Sequence, residues 1–400
     1  MNTPLSRHAL LASLVATAAL QANADTVTDW NLRANSLVAG SPLGTPPAIR
    51  VMAIVQTAVH QALDGLPPRL ATAKPAIDAA VAVANQATLT QLLPDQRTKI
   101  DAAVQAALAG IADGPAKAVG MATGERAAAV VLAARAGDGA GGAESYRPHA
   151  TAGVYVPTAL PAVPQWAQRK PWLMAGAAQF RPGPPPSLGS EQWARDYNEV
   201  KSLGERSGGR RSAEQTEAAR FWTYSMPAIY HGVVRSAAEQ PGRDPARNAR
   251  LFAAVAQAMD DAIIGVIDAK YHHHFWRPVT AIRNGDLDGH AATERAAGWA
   301  PLVDTPMHPE YPSAHSSLAS AVGAVIDAEF GSRALPVLGT SSPSAKGAVR
   351  QWKSTEDFVR EVSEARIHGG LHYRFSTDAG EALGRQVGQL AVEQLLREAP

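Results

Sequence analysis

Three short stretches of this chain combine residue types that could hold and act on a small anion. In KYHHHFWRP, residues 270–278, Lys270 and Arg277 stand seven residues apart. On a helix that is about two turns, which would put an ammonium and a guanidinium on one face, with Pro278 stopping the helix just after Arg277. A point charge beside a planar fork of donors suits a tetrahedral oxyanion, although two such residues can equally be solvated surface charges. In HPEYPSAHSSLASAVGAVI, residues 308–326, Ser313 occupies the N-cap position of an apolar helical run. The unsatisfied amides of such an end, and the helix dipole, attract anions. His315 could turn its ring to the same anion or be a plain first-turn histidine. In ARIHGGLHYRF, residues 365–375, Arg366 comes late in a helix that Gly369-Gly370 can end, leaving His372 free to point back towards the target of Arg366. Read singly, this last stretch is an ordinary helix–loop–helix.

The elements that must position these residues are helical. PAIRVMAIVQTAVHQAL begins with Pro47 near a helix start and puts Ile49, Met52, Val55, Val59 and Leu63 on one stripe. His60 lies beside that stripe and suits a core or interface role better than a ligand role. Helical patterning continues to about Arg135, resumes at SEQWARDYNEVKSLG with Ser190 as cap, and runs through the long segment ending at Tyr271. Further helices are expected at about 314–330 and 355–368. A last one is expected from Asp378, where Asp378 and Glu381 resemble a capping box. No alternating strand and no repeat is evident, so the fold class is all-α: a helical bundle with a long Pro/Gly-rich ordered loop. That loop, residues 137–190, carries Tyr155, Trp166, Trp172 and Phe180, aromatic anchors that a disordered linker seldom has. Its start, GDGAGG, fits a dinucleotide fingerprint literally. It follows a helix rather than a strand, however, and reads as a flexible helix terminus. His272, His273 and His274 point about 100° apart on a helix, so a shared metal ion is disfavoured. One ring reaching the pocket, with the others packed or solvated, is the better reading.

Composition narrows the function. Lys+Arg 37 against Asp+Glu 36 leaves no global field, which argues against nucleic acid as the main partner. With no cysteine, thiolate metal sites, disulfides and cysteine nucleophiles are excluded. Arg7, the apolar stretch Ala9–Leu20 and the small residues Ala22-Asn23-Ala24 read as a secretory signal cleaved after Ala24, giving a periplasmic or secreted protein. No later segment is apolar enough to span a bilayer. The organisation expected is residues 1–24 signal, 25–136 helical, 137–190 connecting, and 191–400 helical with the anion site, the two helical regions forming one continuous domain.

In order, Lys-x6-Arg-Pro, Pro-Ser-x-His and Arg-x5-His resemble the signature shared by vanadium-dependent haloperoxidases and the type 2 phosphatidic acid phosphatases. TDWN at 28–31, the Pro-rich middle, FWRP and HYRF are similar to the secreted bacterial haloperoxidase branch. The resemblance implies vanadate as cofactor, with hydrogen peroxide and halide as substrates. Lys270, Arg277 and Arg366 would neutralise its oxygens, Ser313 and the Ala314 amide would donate to them, His315 would be the acid/base, and His372 the ligand to vanadium. His308 and Trp276 would line the halide side of the pocket. Two positions depart from the family pattern. Ala314 stands where it has glycine, and Ser376 stands near where it has a carboxylate that orients the axial histidine. A backbone carbonyl, Ser376 or a remote Asp would have to replace that carboxylate. The same residues also suit an acid phosphatase, with His372 forming a phosphohistidine and His315 protonating the leaving alcohol. A non-catalytic oxyanion binder is a third reading. A homo-oligomer is left open.

Overall fold

Alanine-rich helices can approach closely, and they do so throughout the computed structural model, which describes residues 25–331 and 333–396. The expected signal segment, with its cleavage site at Ala24, lies outside the described residues. The first helices are α1 (Thr26–Ala39), α2 (Thr45–Asp64), α3 (Lys74–Leu92), α4 (Arg97–Ala109) and α5 (Pro115–Arg135). After the Pro/Gly-rich segment come α6 (Glu191–Leu203), α7 (Ala213–Phe221), α8 (Pro227–Ala238) and the long α9 (Pro245–His273). Then follow α10 (Pro278–Arg283), α11 (Ala314–Phe330), α12 (Thr355–His368) and α13 (Arg374–Ala391). The all-α expectation is borne out. No helix among the described residues is long and apolar enough to cross a membrane.

The stretch 251–267 of α9 is buried on every side. It packs against α2 on one flank and α11 and α13 on the other, so one apolar core takes in Ile54, Phe252, Val322, Phe358 and Val387. Glycines let α11 and α13 come together: a Cβ on Gly384 would stand 2.0 Å from the Ser317 carbonyl oxygen. The Pro/Gly-rich segment is ordered, as expected. Tyr155 and Trp166 are buried, and Trp172 and Phe180 pack against the core. Three successive amides, of Trp172, Leu173 and Met174, donate to the Asp261 carboxylate on α9. The GDGAGG stretch is a helix terminus, but it is tied down rather than free. Asp138 within it is buried and paired with Arg50 and Arg169.

Three expectations need correction. A two-stranded antiparallel hairpin is present, β1 (Leu338–Ser342) with β2 (Ala348–Trp352). Its period-2 pattern is hidden because two of the inward positions are polar, Thr340 and Ser342, the latter donating to the Phe221 carbonyl. The last helix starts at Arg374, not Asp378, so Asp378 and Glu381 lie inside it and form no cap. Finally, α9 ends at His273, and His274 closes it in the left-handed conformation (φ 51, ψ 28). Lys270 and Arg277 therefore do not share a helix face. Proline forces the residue before it to be extended, so Arg277 sits at φ −76, ψ 154 as the N-cap of α10, and Pro278 opens that helix.

Candidate active site

Three cations converge beneath the surface. Lys270, from the last turn of α9, donates through Nζ to the carbonyls of Pro309 and Glu310 at 3.0 and 2.7 Å. Arg277, carried back by the turn after α9, donates from Nε to the His308 carbonyl and from Nη1 to the Leu371 carbonyl, at 3.0 and 2.9 Å. Arg366, in the last turn of α12, donates from Nη1 to the Trp222 carbonyl at 2.7 Å. All three are buried. Burial holds Lys270 well below the ordinary lysine range, and the charges of Arg277 and Arg366 add to the effect. Burial likewise brings Arg277 and Arg366 down to about 10. Desolvated positive charge of this kind is costly unless an anion meets it.

The chain supplies one carboxylate here, and sequence reasoning missed it. Glu310 is fully buried, and its Oε1 lies 2.7 Å from His372 Nδ1, with Ser376 Oγ at 3.3 Å from the same nitrogen. The Tyr373 amide also donates to Oε1, at 3.2 Å. Burial pushes the Glu310 carboxyl up, while Lys270 and Arg277 pull it down. The orienting carboxylate that HYRFS lacks after His372 is thus supplied from the loop before α11. A single acid in the Pro-rich run HPEYP, just ahead of a helix start, was the signal available. With Nδ1–H donated to Glu310, His372 presents the lone pair of Nε2, which lies 3.2 Å from Arg277 Nη1. Burial, then Arg277, Lys270 and Arg366, hold His372 well below the usual histidine range, so it is neutral.

Arg277 reaches a second ring. Its Nη2 lies 3.0 Å from His308 Nδ1, and the Pro309 carbonyl lies 3.1 Å from the same nitrogen. His315 sits in the first turn of α11. Its Nε2 has no hydrogen-bond partner among the described residues, and neither does Arg366 Nε. Burial, followed by Arg366, Lys270 and Arg277, keeps His315 neutral, against an opposing pull from the Trp222 carbonyl.

Ser313 is the N-cap, as the spacing predicts, with Oγ accepting from the Ser316 amide. Ala314 begins the helix and is not among the positive-φ residues, so its methyl does not conflict with the local backbone. Gly370 does need its freedom. It adopts φ +77 with a Cβ position only 2.6 Å from the Gly204 carbonyl, and this turn brings His372 back towards Arg366. Trp276 is buried in an aromatic cluster, stacked on Trp193 with ring centroids 5.9 Å apart. Of the three neighbouring histidines, His272 and His273 meet edge to face with ring centroids 4.8 Å apart, and each also has partners of its own. His272 meets Arg181, His273 meets the Pro182 carbonyl and the Tyr311 ring, and His274 stacks on Tyr146. His60 is half-buried in a surface cleft with Asp64 and Arg250, away from this cluster.

Buried cations, a helix N-terminus, a serine hydroxyl and a neutral imidazole with an unpartnered nitrogen make a donor-rich pocket that fits a multiply charged oxyanion such as vanadate or phosphate. Comparison with known proteins agrees with the motif resemblance. Residues 250–399 match the family model described as the VCPO second helical-bundle domain. Vanadium chloroperoxidase from Curvularia inaequalis is 27% identical over 172 residues, which cover 36% of this chain and 28% of that protein. The chain thus matches little more than a quarter of that relative's length. The fold is similar to that of a bacterial vanadium-dependent iodoperoxidase, with a TM-score of 0.77 at 23% identity, covering 92% of this chain and 95% of that one. It is also similar to the apo form of a bacterial vanadium-dependent chloroperoxidase, with a TM-score of 0.70 at 19% identity, covering 89% and 95%. The chain has the helical fold of these haloperoxidases.

Proposed function

We propose that this chain, which resembles the vanadium haloperoxidases in motif and fold, is itself a vanadium-dependent haloperoxidase that oxidises halide with hydrogen peroxide. The observation that carries the reading is the buried Glu310–His372 pair, which leaves a neutral Nε2 among three desolvated cations. Lys270, Arg277 and Arg366 would hold the oxygens of vanadate, with the Ser313 hydroxyl and the Ala314 amide donating to them and His372 Nε2 as the ligand to the metal. When bound, vanadate supplies a Lewis-acid centre that activates hydrogen peroxide towards halide with no change of metal oxidation state. Glu310 keeps the proton of His372 on Nδ1, so Nε2 stays a lone pair of fixed direction. His315 Nε2, neutral and unpartnered, is the group that takes a proton from hydrogen peroxide and returns it as hypohalous acid leaves. His308 is the histidine assigned to the halide side, together with Trp276.

Bromination of a dimedone-type reporter with hydrogen peroxide and bromide, before and after loading with orthovanadate, tests this. Activity only after loading is expected. Hydrolysis of a phosphate monoester that vanadate inhibits, with no bromination, would instead make His372 the nucleophile of a phosphatase. We further propose export with cleavage after Ala24, which N-terminal sequencing of the secreted chain checks; Asp25 would then begin the mature protein as the cap of α1.

A further inference from the structure

A chain of hydroxyls leads away from the oxyanion pocket to a separate cleft. Ser313 Oγ lies 3.0 Å from Ser316 Oγ, and Ser316 Oγ lies 3.0 Å from Ser363 Oγ. Ser363 Oγ lies 2.5 Å from Glu381 Oε1. The three serines are buried, and they come from α11 and α12. Glu381, on α13, is half-buried. Together with Ser363 it lines an open cleft of about 820 Å³ whose lining includes neither His315 nor His372. The close approach of α11 and α13 helps hold the chain taut, since a Cβ on Gly380 would stand 2.5 Å from the Ser313 carbonyl.

One proton decides the direction of this chain. Ser363 has a single hydroxyl hydrogen, and it cannot serve both Ser316 and Glu381. If Glu381 carries a proton, it donates to Ser363, Ser363 to Ser316 and Ser316 to Ser313, and the Ser313 hydrogen is left for the oxyanion. If Glu381 is a carboxylate, it takes the Ser363 hydrogen, Ser316 turns to Ser363, and Ser313 can turn back to Ser316. Hydrogen bonds in a row that all point one way reinforce one another.

We propose that Glu381 is a positioning residue that acts through Ser363 and Ser316 to set whether the Ser313 hydroxyl faces the oxyanion. The proposal rests on the reading of Ser313 as an oxyanion donor, and it makes protons in the distal cleft a control on the pocket. The groups around Glu381 set its response. Burial raises its carboxyl, Ser363 lowers it, Asp378 raises it, and Arg385 and Arg374 lower it. Asp327 of α11 and Glu356, Arg360 and Glu364 of α12 also line the cleft.

The test is the affinity of inorganic phosphate for the full chain by titration calorimetry between about pH 5 and 9, where carboxyls raised by burial titrate. It compares wild type, Glu381→Gln, Ser363→Ala and the double variant. Glu381→Gln cannot titrate, whichever way its amide turns. The wild type is expected to lose about tenfold or more affinity across that range beyond what Glu381→Gln loses, the worth of one hydrogen bond to an anion. In the Ser363→Ala background, Glu381→Gln is expected to change nothing further. Parallel pH curves for wild type and Glu381→Gln overturn the proposal, as does an undiminished Glu381→Gln effect without the Ser363 hydroxyl. Phosphate binding needs no peroxide chemistry. A chain that shows this coupling yet brominates nothing sinks the haloperoxidase reading alone. A wild type that binds no phosphate sinks the oxyanion reading and this inference together.

Discussion

At the scale of single residues, the candidate site leaves donors and lone pairs unsatisfied in a buried setting. Glu310 is the clearest case. Without its carboxylate, Ser376 at 3.3 Å is the one remaining partner of His372 Nδ1 among the described residues. Glu310→Gln is expected to weaken vanadate binding about 10- to 100-fold, as loss of a ligand's orienting partner does. Equilibrium titration with orthovanadate measures this, and unchanged affinity would show that His372 needs no partner. Lys270 makes a second prediction. Burial first, and the neighbouring cation Arg277 second, depress it in the free protein. A bound anion raises it, so binding takes up a proton, and affinity falls as pH rises through its depressed value. Calorimetry in two buffers of different ionisation enthalpy detects that proton; release instead of uptake would contradict the assignment. His315→Ala should abolish turnover yet spare most anion affinity, since its proposed role is to move a proton rather than to hold charge.

Elements matter here through their ends. Lys270, Arg366, Ser313 and Arg277 all sit in terminal turns or caps, where the chain can change direction and backbone groups lack helical partners. Relative placement of these ends depends on how closely α11 and α13 pack. Gly384→Ala would drive a methyl into the Ser317 carbonyl, 2.0 Å away, with backbone on both sides and no flexible atom to yield. A loss of about 1–3 kcal/mol is expected from such overpacking, read as a lowered urea midpoint, and phosphate affinity should fall with it because Ser313 starts the displaced helix. A variant as stable as wild type would mean the two helices separate at little cost.

For the molecule as a whole, a buried ion network ties the N-terminal helices, the Pro/Gly-rich segment and α9 together. Arg169, from the segment, pairs with Asp260 of α9 at 2.6 Å and with Asp138 after α5 at 2.9 Å, and Asp138 also holds Arg50 of α2. The Arg169 and Asp260 side chains are 0% exposed. Arg169→Ala leaves Asp260 buried without its cation, and a destabilisation of about 3–5 kcal/mol is expected in chemical unfolding. A change within the range of a surface substitution would show that water reaches the carboxylates.

The amino-acid sequence alone determined the all-α class, most helix boundaries, the ordered nature of the segment from 137 to 190, and which residues, by their spacing, carry the family resemblance. Those features are local: periodicity, caps, and glycine or proline at chain turns act within a few residues. Only the tertiary structure decided that Lys270 and Arg277 meet across a helix break rather than along one face, because the helix ends at His273 and His274 turns left-handed with no glycine to mark the turn. It also decided that the partner of His372 is Glu310, 62 residues earlier, and that Ser313 is joined to Glu381 through Ser363. A hydrogen bond depends on distance in space, and a carboxylate at any position in the chain can fill the place of one that the local motif lacks.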